Sequence, residues 1–241
     1  MIRTILFDLD GTLLPMDQDK FTKTYFGKLA ETMAPLHEPE ALINAVWGGT
    51  RAMIKNDGSK TNEEVFWDFF TGVFGPAARE EEPLFADFYE RRFGELQPLC
   101  GKEPAVGPLI RELAAAGYTL AVATNPVFPM TAQAQRLSWT GAAPAAFRMV
   151  TSYENSRFCK PNPAFFTDVV SALGASPEET LMVGNDVKED MDAAGKAGLH
   201  VFLITDHILN PEGKDISAYP HGSFADLKRF IADNGFCRPA A

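Results

Sequence analysis

An apolar run that closes on two carboxylates, Ile5-Leu6-Phe7-Asp8-Leu9-Asp10-Gly11-Thr12, most restricts how this chain folds. Ile5-Leu6-Phe7 reads as a strand buried on both faces, the environment of a parallel sheet. Gly11 then permits a turn that a side chain would obstruct. With the strand period of two, Asp8 and Asp10 point to the same side at the carboxyl end of the strand. Open α/β sheets bind their ligands at that end. Carboxylates held so close repel each other and need a cation, a shared proton or strong hydrogen bonds. A solvated turn built from Asp, Gly and Thr is the other reading of the same residues.

The remainder of the chain alternates strand and helix, with one interruption. From about Asp17 to Leu99 the periodicity is helical, and no strand is convincing. Phe21, Tyr25, Leu29 and Met33 recur every fourth residue on one helix face. Thr61-Asn62-Glu63-Glu64 reads as a capping box. It opens a helix with the stripe Val65, Phe66, Phe69, Phe70, Val73 and Phe74, closed by Gly75-Pro76. A third helix is expected over Glu82 to Phe93, and Trp47-Gly48-Gly49-Thr50 reads as a flexible, substrate-facing loop. Helical spacing assigns the aromatic residues to the core of a bundle.

From Gly101 onward, strands are expected over Tyr118–Ala123, Phe147–Thr151, Thr180–Val183 and Val201–Ile204. Helices are expected over Pro104–Ala116, Pro129–Trp139, Pro163–Leu173, Lys188–Ala197 and Phe224–Asn234, and Ser176-Pro177-Glu178-Glu179 has the pattern of a helix start. This alternation implies an α/β fold, a Rossmann-like doubly wound parallel sheet. Residues 1–15 and 100–241 would form its core domain. Residues 16–99 would form an inserted helical domain that moves against it.

The net charge of -10 argues against nucleic acid or an anionic membrane as a bulk partner. A small anionic substrate remains compatible, because a metal and a few cations reverse the field inside a cleft. No apolar run is long enough to span a membrane, and the first strand begins almost at Met1, leaving no room for a leader. Cys100, Cys159 and Cys237 are few and far apart, which suggests neither a disulfide framework nor a zinc site. The four histidines show no ligand spacing. A cytoplasmic protein is expected, of unassigned oligomeric state.

Three further features stand at expected strand ends. Thr124-Asn125 follows Leu120-Ala121-Val122-Ala123 and offers a hydroxyl, a backbone N–H and an amide to phosphate oxygens; an ordinary strand exit is the alternative. Lys160 lies in Cys159-Lys160-Pro161-Asn162-Pro163, where prolines stiffen the loop and direct one ammonium; a solvated lysine is the alternative. Gly184-Asn185-Asp186-Val187-Lys188-Glu189-Asp190 follows Leu181-Met182-Val183, with two acids one helical turn apart. Oxygen ligands from Asp8 and Asp186 suit Mg²⁺, whereas acids at a helix start also complement its dipole. Arg51, Lys55 and Lys60 read as solvated positions.

In this order the four features resemble the motifs of the haloacid dehalogenase (HAD) superfamily, and the helical insert resembles that family's α-helical cap. Gly184-Asn185-Asp186 carries one residue more than the commoner Gly-Asp. The resemblance implies an Mg²⁺-dependent phosphatase of a small phosphorylated metabolite. Asp8 would be the nucleophile, Asp10 the general acid and base, and Lys160 a charge-neutralising and substrate-binding group. Asp8, the Asp10 carbonyl and Asp186 would hold the metal, with Asp190 in support. Thr124 and the N–H groups of Leu9, Gly11 and Asn125 would contact phosphate. Haloacid dehalogenases and phosphonoacetaldehyde hydrolases lack an acid at the position of Asp10, so its presence favours phosphatase chemistry. A hexose-phosphate mutase of the β-phosphoglucomutase type keeps both acids and is the alternative, although Thr12 stands where those mutases commonly carry valine. A non-catalytic binding protein on the same scaffold is a third reading, disfavoured because every expected group is present.

Overall fold

The computed structural model describes residues 2–233. Asn234, expected to end the last helix, and Cys237 lie outside the described residues. Six parallel strands form one sheet in the order β3-β2-β1-β4-β5-β6. They are β1 (Thr4–Phe7), β2 (Thr119–Val122), β3 (Phe147–Val150), β4 (Thr180–Gly184), β5 (His200–Ile204) and β6 (His221–Gly222). The expected doubly wound α/β architecture is therefore the one observed. β6 has two residues and no apolar pattern, so nothing in its sequence announces a strand.

β1 lies where the strand order reverses, between β2 and β4. Phe7 is in register with Val122 on one side and Val183 on the other, so three strands end at one level. Asp8, Thr124 and Asn185 consequently emerge at the same edge, the crevice such sheets use for ligands. All four residues of β1 are buried. Ile5 and Phe7 join one apolar cluster, and Leu6 joins another with Ala121, Met182, Phe165 and Phe166. That alternation is the strand period expressed on a sheet covered on both faces.

Helices α1 (Gln18–Met33), α2 (Pro39–Ile54), α3 (Asn62–Phe74) and α4 (Glu82–Arg91) follow β1. α1 buries the expected face, with Phe21, Tyr25, Leu29 and Met33 all in the core. The capping box at α3 is complete: the Glu64 N–H donates to Thr61 Oγ1 and the Thr61 N–H to Glu64 Oε2. Its stripe divides, with Phe66 and Phe70 buried and Phe69 and Val73 exposed.

One expectation is corrected here. Trp47-Gly48-Gly49-Thr50 is not a loop but lies within α2. Its glycines serve packing: a Cβ at Gly48 would stand 2.2 Å from the Phe69 ring, and one at Gly49 2.6 Å from the Phe66 ring. Both lie far inside van der Waals contact, so α2 and α3 approach through missing side chains.

The chain continues through α5 (Val106–Ala115), α6 (Met130–Trp139) and α7 (Pro163–Ala172). Ser176-Pro177-Glu178-Glu179 makes only a 3₁₀ turn, Pro177–Glu179, and the Ser176 side chain caps nothing. The helix expected over Lys188–Ala197 is a π-helical turn, Val187–Asp192, followed by the short α8 (Ala193–Lys196). The last helix is α9 (Phe224–Asp233). Among the described residues no helix is long and apolar enough to cross a membrane.

Gly49→Val forces the α2–α3 contact apart and is expected to cost about 1–3 kcal/mol. Gly72→Ala, on the exposed side of α3 with open space around it, should instead gain about 0.5–1 kcal/mol. Urea denaturation of the two variants reads both signs.

Candidate active site

Asp8 leaves β1 with its N–H donating to the Val183 carbonyl at 2.9 Å, which fixes its backbone to β4. Its carboxylate accepts from Lys160 Nζ at 2.9 Å through Oδ1. The Thr12 hydroxyl lies 3.1 Å from both Asp8 Oδ2 and Asn185 Oδ1. With one proton, it donates to one of them at a time.

Lys160 is only 1% exposed, so it is not a solvated loop lysine. Asn162 caps α7 through the Ala164 N–H, anchoring the loop that carries Lys160. Its ammonium also reaches Asp190 Oδ1 at 2.6 Å and lies about 6 Å from the rings of Phe165 and Phe166. Burial disfavours the charge, but Asp190 and Asp8 outweigh it and raise the Lys160 pKa above its ordinary value.

Asp190 is held by the π-helical turn, which swings its carboxylate back over the entry to the turn. Oδ2 accepts from the N–H groups of Asn185 and Asp186 at 3.1 and 3.0 Å. Burial pushes its pKa upward, Lys160 opposes this, and the charge of Asp8 adds to the rise. Three donors on its two oxygens keep it an acceptor, the form that pairs with Lys160. Gly184 is obligatory beneath it, because a Cβ there would lie 2.2 Å from Asp190 Oδ2.

Asp186 stands two residues beyond β4 and caps the following turn, accepting from the Lys188 and Glu189 N–H groups at 2.8 Å each. Asn185, the additional residue of this motif, reaches Thr12 and the His207 carbonyl. Its amide lies against Gly11, where a Cβ would meet Asn185 Nδ2 at 2.4 Å and where φ is +83°. Gly11 therefore matters for close approach and a left-handed turn. Its N–H donates to the Leu14 carbonyl at 2.8 Å, so the expectation that this group binds phosphate is corrected.

The Leu9 side chain is buried in the core. Thr124 is buried and lines the cavity described below. Asn125 lines it too, but its amide already donates to Glu189 Oε2 at 3.1 Å and to the Lys160 carbonyl at 3.4 Å. It ties the three loops together, leaving its backbone N–H for a ligand.

Asp10 brings a residue that the sequence reading missed. Its Oδ2 pairs with the guanidinium of Arg136 on α6, a side chain only 1% exposed. Arg136 also binds the Gln133 side-chain oxygen and lies 4.5 Å from the centre of the Phe128 ring. The available signal was its place beside Ala132, Gln133 and Leu137 on the buried face of a helix. An arginine on an apolar face requires a buried partner. Burial raises the Asp10 pKa, Arg136 opposes it, and the neighbouring Asp8 charge raises it further. Glu189 is the second unforeseen group; burial foremost lifts its carboxyl to about 6.

Asp8, Asp10, Asp186, Glu189 and Asp190 line one cavity of about 370 Å³. Lys160 and Arg136 are the cations paired with them. Five carboxylates against two cations form a natural seat for a further cation, and Asp10 Oδ1 is buried without a partner. Among the described residues no three His, Cys, Asp or Glu side chains converge as a metal cluster. A hard oxygen set without such a cage suits Mg²⁺, which takes one or two carboxylates and keeps its waters.

The chain belongs to the haloacid dehalogenase-like hydrolase family, whose sequence pattern it matches over residues 2–198. It is 28% identical to a glyceraldehyde 3-phosphate phosphatase of Methanothermobacter thermautotrophicus, over 88% of this chain and 89% of that protein. It is 26% identical to an N-acetylmuramic acid 6-phosphate phosphatase of Pseudomonas aeruginosa, over 88% of this chain and 85% of the other. The crystal structure of a HAD phosphatase from Thermococcus onnurineus shares the fold, with a TM-score of 0.59 and 20% identity over 99% of this chain and all of that one.

Replacing Arg136 by Met leaves Asp10 crowded against Asp8 without its cation and should destabilise the protein by about 3 kcal/mol. Adding Asp10→Asn should cost less than the sum of the two single changes, a coupling that chemical denaturation of the four proteins measures.

Proposed function

We propose that this protein is an Mg²⁺-dependent phosphatase of a small phosphomonoester that works through an aspartyl-phosphate on Asp8. One observation carries the reading: Asp8 ends the central strand, held by Lys160, and Asp10 stands one strand period away with a raised pKa. The phosphatase names of the relatives support it.

Asp8 attacks phosphorus, and the bond to the leaving oxygen breaks as the Asp8–phosphorus bond forms. Lys160 and the N–H groups of Leu9 and Asn125 face the phosphoryl oxygens with the Thr124 hydroxyl. Asp10 gives its proton to the departing alkoxide, then takes one from the water that hydrolyses the acyl phosphate. A free aspartate, with a pKa of about 3.9, is deprotonated at neutral pH. Burial, opposed by Arg136 and helped by the charge of Asp8, moves the Asp10 pKa upward, the direction this role needs, and Arg136 fixes the orientation of its carboxyl.

Asp8, the Asp10 carbonyl and Asp186 would hold Mg²⁺, with Asp190 in support. The metal would spread the charge of the phosphoryl oxygens and let an anionic nucleophile approach an anionic substrate. Residues 16–99 act as the cap, closing α1–α3 over the site and excluding bulk water.

Phosphate release from a panel of phosphomonoesters should require Mg²⁺, stop with chelator and return when the metal is restored. Asp8→Asn should lose at least a thousandfold in kcat. An Asp8→Asn protein of undiminished activity, or a wild-type chain inert on the whole panel, overturns the mechanism.

A further inference from the structure

The cavity over Asp8 and Asp10 has a polar floor and aromatic walls. Phe21 and Tyr25 of α1, Trp47 of α2, Phe66 and Trp67 of α3, and Phe128 after β2 all line it. Trp47 is 40% exposed, and its ring lies 5.2 Å from that of Phe26. It stands partly in water, as do Gln18 and, to a lesser degree, Thr22 and Thr50 in the same wall.

Among the described residues, Arg136 is the one cationic side chain in the lining. Its guanidinium is engaged by Asp10, Gln133 and the face of Phe128. Arg51, Lys55 and Lys60 are not in the wall; Arg51 and Lys55 are exposed, and exposed Lys60 pairs with Asp68. Arg79 lies over Trp67 and pairs with Glu82, also outside the lining. The phenols remain neutral: burial lifts Tyr25 to about 12 and raises Tyr89 and Tyr153 as well. Among the described residues, no free cation in the lining therefore awaits a carboxylate or a second phosphate on the substrate.

A sugar or hydroxy acid would place part of its hydroxyls against the rings of Phe21, Trp47, Phe66 and Phe128, which return no ordinary hydrogen bond, although Gln18, Thr22 and Thr50 stand in the same wall. The volume points the same way. At about 30 Å³ per water, the 370 Å³ cavity holds far more than a phosphate with two or three carbons.

We infer that the leaving group is an uncharged aromatic body joined to the phosphate by a short linker. This rests on the phosphatase reading above. The phosphate sits on Asp8, and the ring enters the space between Phe21, Trp47 and Phe128, where offset and edge-to-face contacts are open to it.

Four substrates test this with the full-length protein and Mg²⁺: 2-phenylethyl phosphate, ethyl phosphate, phosphoglycolate and phosphocholine. The first two leave as alcohols of similar basicity, so their comparison isolates the ring from leaving-group chemistry. Nitrophenyl esters would confound the two. The expected result is a kcat/KM for 2-phenylethyl phosphate at least tenfold above each of the others, carried mainly by KM. Trp47→Ala and Phe21→Ala should each narrow the phenylethyl-to-ethyl ratio at least threefold.

Equal or better turnover of ethyl phosphate, phosphoglycolate or phosphocholine overturns the aromatic assignment and leaves the phosphatase reading standing. Preference for phosphocholine would mark the wall as a cation box instead. A high ratio unmoved by both substitutions overturns the cavity as its source. Hydrolysis of none of the four overturns the phosphatase reading itself.

Discussion

Lys160 is a buried cation with no water to solvate it, and the surrounding architecture answers that cost. Two carboxylates from different parts of the sheet edge converge on its ammonium, Asp8 from β1 and Asp190 from the turn after β4. Removing the lysine would leave both carboxylates uncompensated in low dielectric, a situation folded proteins do not tolerate cheaply. Much local geometry follows. Gly184 lacks a side chain so that Asp190 can fold back, and the helical turn opens to π form around it. Gly11 lacks one so that the Asn185 amide can pack against the turn, within reach of the Thr12 hydroxyl.

Arg136 and Asp10 form a second buried pair beside the first, joined to it through the short span from Asp8 to Asp10. Lys160 faces Asp8 directly. At Asp10, burial raises the pKa, the guanidinium of Arg136 opposes the rise and the charge of Asp8 adds to it.

Much of this was legible in the sequence where one residue type has few alternative uses. An aspartate ending an apolar strand, a lysine between stiffening residues, and an acid pair after another apolar strand all met at one edge of the sheet. The capping box at Thr61 and the apolar face of α1 were equally direct. What escaped has physical reasons. Gly48-Gly49 reads as a break because intrinsic propensity penalises glycine, yet tertiary contact with Phe66 and Phe69 reverses that preference. Arg136 escaped because its partner lies 126 residues away, and helical spacing alone identifies no carboxylate. The Asn125 amide and the Gly11 N–H, expected to face phosphate, are engaged within the protein by Glu189 and the Leu14 carbonyl, partners that local sequence does not announce.

The register of β1 has a consequence for how the protein comes into being. Thr4 pairs with Thr119 on one side and with Thr180 on the other. The first strand to leave the ribosome therefore waits for most of the chain before its second edge is covered. Loop closure over such a span is slow, and an apolar strand with an open edge is exposed to aggregation during the interval. The interposed helices, by contrast, pack through contacts close in sequence and can form early. A nascent chain would carry Asp8, the proposed nucleophile, and the inserted helices well before Lys160 and Asp190, so the assembled site would arrive late and all at once.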